Sequence, residues 1–247
     1  MIRVNFIASG SAGNACTISD GKTKVLIDCG VPINVLRNCT SLSHIDAILL
    51  THEHGDHSQF VVKLANQLQI PLLTGEKTHD KVSEDLLDYL KVNICAGKQY
   101  RIKSLTIMPF NVYHDAVEPL GFLIGNTYKE TFAFISDTGT LEGLDIKADN
   151  YAIECNYDEH LLRKRLHDKD ITDLQYYRMI PFDGHMSVQD VTAYMDKYID
   201  PSAIVYLHHT GTIPWDLKFK REHTVVIEKG VCNESYFHGY IPQTPNF

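Results

Sequence analysis

Hydrophobic and polar positions alternate from the start of the chain. Ile2, Val4, Phe6 and Ala8 are separated by Arg3, Asn5 and Ile7, and this period of two predicts an opening strand. Cys16-Thr17-Ile18 begins a second strand, and Lys24-Val25-Leu26-Ile27-Asp28-Cys29-Gly30 reads as a third that ends in an acid and a glycine. Pro32 stands where a helix would start, with Ile33 and Leu36 on one face. The unbroken apolar run Ala47-Ile48-Leu49-Leu50 predicts a buried strand. Phe60, Val61, Leu64 and Leu68 then repeat at helical spacing, Pro71 to Thr74 reads as a short strand, and Thr78 to Leu90 as an amphipathic helix with Val82, Leu86 and Leu90 on one side. Further strands are predicted at Leu105–Phe110, Thr131–Gly139, Tyr151–Tyr157 and Ala203–Gly211. A basic helix is expected from Glu159 to Leu166, and a second one after Ser187, the candidate N-cap, with Val188, Val191 and Met195 inward. Strands and helices alternate with no repeat, linker or compositional break. One α/β domain over residues 1–247 is therefore the economical reading.

A hydrophobic fraction of 44% over 247 residues supports a substantial core. No 18-residue apolar run is present, so no membrane-spanning helix is expected. The opening Met1-Ile2-Arg3-Val4-Asn5 lacks the apolar segment of a signal peptide, and six cysteines are scattered with no Cys-x-x-Cys pair, which favours reduced thiols and a cytoplasmic location. The net charge of −8 argues against a protein that coats nucleic acid electrostatically. Two basic stretches, Arg163-Lys164-Arg165 and Lys218-Phe219-Lys220-Arg221, read as solvated surface, with contact to phosphates near a site as the other reading. The aromatic tail Tyr236–Pro242 packs either on the domain or on another subunit, which leaves a homodimer open.

The densest chemistry lies in Thr51-His52-Glu53-His54-Gly55-Asp56-His57, directly after the apolar run Ala47–Leu50. Neutral imidazoles and carboxylates suit zinc and its divalent neighbours, and burying such a cluster without a metal would be costly. His52 and His54 alternate, so an extended loop turns both toward one cation, while Asp56 and His57 turn toward a second. The segment therefore reads as a two-metal site. Ser9-Gly10-Ser11-Ala12-Gly13-Asn14 is a glycine-rich turn after a strand; such a turn can cradle a phosphate, but taken alone this one reads as a hairpin turn. Asp137 ends a buried strand, where each carboxylate oxygen can take one cation.

His-x-His-x-Asp-His after an apolar strand resembles the signature of the metallo-β-lactamase superfamily. The Ser9–Asn14 turn, His114-Asp115-Ala116 and Glu154-Cys155-Asn156-Tyr157 are similar to segments of its YycJ/WalJ-type nuclease branch. The resemblance implies an αββα four-layer sandwich with its site along one edge. It also implies that His52, His54 and His114 hold one metal, that Asp56, His57 and His209 hold the other, that Asp137 bridges, and that Asp28 supports the motif loop from behind. For the last ligand, gapless matching of Tyr206-Leu207 selects His209 and a His-x-Ser/Thr pattern favours His208; His209 is the choice made here. The chain departs from the family after this point, with Gly211-Thr212-Ile213-Pro214-Trp215 where serine and asparagines are usual. Glu154 and His185 resemble the couple of RNase Z enzymes, in which the histidine gives a proton to the leaving oxygen and the glutamate holds it.

The cofactors implied are two divalent ions, zinc or manganese, with a hydroxide held between them and the catalytic roles falling on His185, Glu154 and Asp56. The implied activity is phosphodiester hydrolysis, as a nuclease releasing nucleotides from DNA ends. Cleavage of a small cyclic or oligonucleotide signal is the near alternative, because a compact substrate needs no long basic track. Carbon-centred hydrolysis of a β-lactam or thioester is the distant one, since the Glu154/His185 pair has no clear use in opening a lactam. A non-catalytic metal-binding module is disfavoured because every expected ligand position is filled.

Overall fold

The structure, a computed structural model, describes residues 1–167, 184–211, 219, 221–227 and 230–231. The aromatic tail, Cys232, the Thr212–Trp215 segment, and Lys218 and Lys220 of the second basic stretch lie outside the described residues. The first half of the chain supplies β1 (Arg3–Ser9), β2 (Ala15–Ser19), β3 (Lys24–Ile27), β4 (Ala47–Leu49), β5 (Leu72–Thr74) and β6 (Lys91–Asn93) to one sheet. The second sheet is built from β7 (Tyr100–Ile102), β8 (Leu105–Asn111), β9 (Leu120–Asn126), β10 (Thr131–Ile135), β11 (Asn150–Glu154), β12 (Val205–His208) and β13 (Thr224–Val226), while β14 (Gly230–Val231) returns to pair with β1. Among the described residues each sheet therefore has seven strands. The two halves repeat one plan, an antiparallel meander (β1–β3, β7–β10) that continues as parallel strands (β3–β6, β10–β13).

The period-two alternation sorts side chains into three apolar layers. Val25 and Ile27 of β3 and Ala47 and Leu49 of β4 meet Phe122, Phe132, Phe134 and Ala152 of the other sheet, which fills the space between the sheets. On the opposite faces, Leu26, Ile48 and Leu50 pack with Leu36 of α1 (Ile33–Cys39) and Val61 and Leu64 of α3 (Val61–Leu68). Ala133, Ile135, Ile153 and Leu207 pack beneath Val188, Val191 and Met195 of the final helix (Val188–Tyr198). Helix, sheet, sheet, helix is the resulting order, the four-layer sandwich expected. Ser187 caps that last helix by accepting from Asp190 N, as its position predicts.

The helix expected over Thr78–Leu90 is shorter. It spans Glu76–Val82 (α4), preceded in the chain by the single turn α2 (Gly55–Ser58). Ser83 turns its hydroxyl back to His79 O at 2.6 Å, and beyond it the backbone makes short turns (Leu86 N to Ser83 O, Leu90 N to Leu87 O) while the Asn66 side chain on α3 bonds Asp85 O and Leu87 N. Leu86 reaches the core from the turn that follows, and Leu90 from a single 3-10 turn, Asp88–Leu90. The basic helix is present as α5 (Glu159–His167), which makes the final helix α6.

Candidate metal centre

Strands β3, β4, β10, β11 and β12 all end on one edge of the sandwich, and the chemistry gathers there. Two residues take left-handed backbone at this edge, Asp28 at φ 59° and His209 at φ 53°. Such conformations cost about 1–3 kcal/mol each in a residue with a side chain, and they re-aim both side chains just past a strand end. Gly30 lies against the motif turn so closely that a methyl there would stand 1.7 Å from Asp56 O, which only glycine avoids.

The donors form two trios. His52, His54 and His114 converge, with His54 Nδ1 3.1 Å from His114 Nε2 and ring centroids of His52 within 4.7 Å of His54 and 4.9 Å of His114. Asp56, His57 and His209 converge beside them, with Asp56 Oδ2 3.6 Å from His57 Nε2 and 3.5 Å from His209 Nε2. Asp137 lies between the trios. Its Oδ2 is 3.3 Å from His57 Nε2 and 3.9 Å from both His52 Nε2 and His114 Nε2, while Oδ1 is 3.4 Å from His209 Nδ1. Glu154 and His185 close the far side, joined by a short Nδ1–Oε1 hydrogen bond; Glu154 also accepts from Met186 N at 2.9 Å. The His185 ring stands 5.2 Å from that of His114 and 5.1 Å from that of His209, over the junction of the two trios.

The groups behind the site fix which ring nitrogen faces it. His57 Nδ1–H donates to Asp28 Oδ2 at 2.7 Å, and Asp28 Oδ1 also accepts from Thr51 N at 2.8 Å, so Nε2 of His57 is left facing Asp137. His114 Nδ1 faces Gly184 O at 3.2 Å and leaves Nε2 inward. His52 Nδ1 lies 3.0 Å from Thr51 Oγ1, and its buried Nε2 has no hydrogen-bond partner, nor has Nε2 of His209. An unsatisfied buried polar atom costs about 1–3 kcal/mol. Two of them, aimed among carboxylates and further imidazoles, fit a divalent cation as the missing partner.

Electrostatics separate the two ends. Burial, reinforced by the charge on His57, holds His52 well below the usual imidazole range, and burial likewise lowers His114; both stay neutral, as ligands must. Burial opposes charge on His209 too, but Asp137 and then Asp56 outweigh it and raise it to about 10. The Asp137 carboxyl is held well below its usual range because His209 and His57 overcome its burial. The carboxylate end of the site thus draws positive charge. His208, the alternative to His209, points away: its Nε2 lies 3.0 Å from Ile135 O, its ring packs on Phe134, and burial followed by the neighbouring His209 lowers it to about 3.

Three contributors lie inside motif segments that assign them no role of their own. Asn14 Nδ2 lies 3.3 Å from Asp56 Oδ2 and 3.0 Å from His57 Nε2, which ties the opening turn to the motif. Asn156 Nδ2 lies 3.3 Å from His209 Nδ1 and donates to its carbonyl. Ser9 Oγ accepts from His209 N at 2.7 Å across 200 residues of chain. Their sequence mark is membership of the Ser9–Asn14 turn and of Glu154-Cys155-Asn156-Tyr157.

A family model described as a beta-lactamase superfamily domain matches residues 23–209, which contain both trios. The chain belongs to this superfamily. Among the relatives of this superfamily member, exodeoxyribonuclease WalJ of Streptococcus pneumoniae is 30% identical over 230 residues, covering 84% of this chain and 81% of its own. Exodeoxyribonuclease YycJ of Bacillus anthracis is 27% identical over 222 residues, covering 84% and 82%. Zinc-bound PqqB from Methylobacterium extorquens superposes with a TM-score of 0.71 at 16% identity, covering 94% of this chain and 99% of its own, and shares the fold. Family, fold and donor set make the chain a metal-dependent hydrolase.

Replacement of Asp28 by asparagine is expected to weaken divalent-metal affinity about 10–100-fold, because the charge behind His57 is lost and only one oxygen remains to accept from both His57 Nδ1 and Thr51 N. Competition of the variant against a metal-sensitive dye checks this, and unchanged affinity would show that Asp28 only shapes the loop.

Proposed function

We propose that this chain is a metal-dependent phosphodiesterase, a nuclease that releases nucleotides from DNA ends, working as a single domain with two divalent ions, zinc or manganese. The observation that carries the reading is the His185–Glu154 pair poised over the junction of two donor trios. Divalent ions bound there supply Lewis acidity toward a phosphoryl oxygen and lower the pKa of water toward about 7. His52, His54 and His114 would hold one ion, Asp56, His57 and His209 the other, and Asp137, whose carboxylate lies 3.3–3.9 Å from histidines of both trios, would serve both.

The remaining work falls on protein groups. Burial disfavours charge on His185, but Glu154 outweighs it and raises its pKa above the usual value, which favours the protonated ring. Glu154, fully buried and anchored by Met186 N, holds Nδ1 and directs Nε2 outward. A proton delivered from Nε2 to the departing oxygen suits a poor alkoxide leaving group, which DNA presents and which a lactam or thioester does not. The names of the WalJ and YycJ relatives support DNA as the polymer.

The test is a substrate panel on the intact chain and on Asp56→Ala, with metal content measured on both. Linear DNA, cyclic nucleotides, a chromogenic cephalosporin and a thioester are offered with zinc or manganese. Mononucleotide release from linear DNA, lost in Asp56→Ala together with bound metal, is the expected result. Preferential turnover of cyclic nucleotides would move the reading to a signalling nucleotide, and faster turnover of the cephalosporin or thioester would overturn it.

A further inference from the structure

A groove of about 590 Å³ opens on the outer face of the first sheet, at the strand ends opposite the metal centre. Its floor is set by register. Arg3 on β1 stands beside Ser19 on β2, which stands beside Lys24 on β3, so one row across three strands reads arginine, serine, lysine. Arg37 overhangs from the last turn of α1, and Thr17 and Thr40 add hydroxyls. Three cations from three elements thus converge on a lining that contains no carboxylate. Other described cations stand singly on the surface or, like Lys103 with Asp46 and Arg163 with Glu159, in ion pairs; here three share one lining. Arg3 and Arg37 are exposed and have no carboxylate in ion-pair range among the described residues, and the Lys24 ammonium is directed to Thr40 Oγ1 at 3.3 Å. On a chain of net charge −8, an uncompensated basic groove opposes the background field.

We propose that this groove binds phosphates of the unreacted part of a DNA substrate, an inference that rests on the nuclease reading above. Guanidinium, ammonium and hydroxyl groups are the donors that phosphate takes, and binding by non-reacting parts of a substrate positions the reacting part. Distance sets the substrate length. Ser9, whose hydroxyl reaches His209, and Arg3 are six residues apart on β1, about 20 Å at roughly 3.3 Å per residue. That spans about six steps of a DNA strand at about 3.4 Å each. A short oligonucleotide occupies the metal centre without touching the groove; a longer one engages both. The negative net charge and the absence of a long basic track are therefore compatible with a polymeric substrate, held at two separated points.

The test compares the intact chain with Arg3→Ser/Arg37→Ser, whose exposed positions leave the core intact, using a tetranucleotide and a fluorescein-labelled duplex of about 20 base pairs. Binding is read by anisotropy in an Asp56→Ala background, and hydrolysis in the active chain. The double variant is expected to bind the duplex about tenfold more weakly and to lower the slope of log K against log salt by roughly 1.8, at about 0.9 per lost phosphate contact. Tetranucleotide hydrolysis stays unchanged, and Arg3→Lys/Arg37→Lys restores the salt slope. An unaltered duplex affinity and slope overturns the groove while leaving the nuclease reading intact, as does an equal loss on the tetranucleotide. Failure of the intact chain to hydrolyse any DNA overturns the nuclease reading, and this inference with it.

Discussion

Replacing His185 with glutamine is expected to lower kcat on DNA by about 10²–10⁴-fold, the usual worth of a positioned general acid, with bound metal unchanged. The ring is 14% exposed, its Nδ1 is taken by Glu154, and it stands about equally far from His114 and His209, so it overlooks both trios. The loss should depend on the leaving group. On a phosphodiester of an acidic phenol, whose departing oxygen needs no proton, the variant should approach the intact chain. Because Glu154 raises the His185 pKa, kcat is expected to fall as pH rises through that raised value, and Glu154→Gln should move this limb to lower pH. An equal loss on both leaving groups would assign His185 to packing.

Replacing Asp137 with alanine should remove bound metal as well as activity. Its Oδ2 lies near His52 and His114 of one trio and His57 of the other, its Oδ1 lies near His209, and the side chain is buried at 3% exposure, so water cannot take its place cheaply. Loss of several kcal/mol of charge stabilisation corresponds to a rate about 10³-fold lower. A second readout needs no turnover. In the metal-free chain Asp137 is the largest influence raising His209 to about 10, so the His209 resonance should titrate at distinctly lower pH in the variant. Metal content at the level of the intact chain would exclude a bridging role.

Periodicity and motif together made much of this molecule legible. The unbroken apolar run of β4 marked a strand buried on both faces, since water accepts neither set; which set meets the partner sheet and which the helices came from the fold. His52, His54, Asp56 and His57 declared their chemistry because all four fall within six residues, where density alone argues against a solvated loop. Asp28, His114, Asp137 and His209 are single polar residues at strand ends, and without the resemblance each would pass for a turn former or a core histidine.

What the amino-acid order determined by itself was the set of local elements, the faces they bury and the nucleus of the site. Three things were decided only by tertiary structure. His209 rather than His208 enters the cluster because β12 ends at His208 and the next residue turns left-handed toward Ser9, a contact set 200 residues away. The helix after Gly75 stops at Val82, where the Ser83 hydroxyl bonds back to His79 O and Asn66 on a neighbouring helix takes Asp85 O and Leu87 N, contacts that helical spacing in the sequence does not show. The basic row of Arg3, Ser19 and Lys24 exists only through register, because pairing of β1, β2 and β3 aligns residues whose spacing along the chain carries no common period.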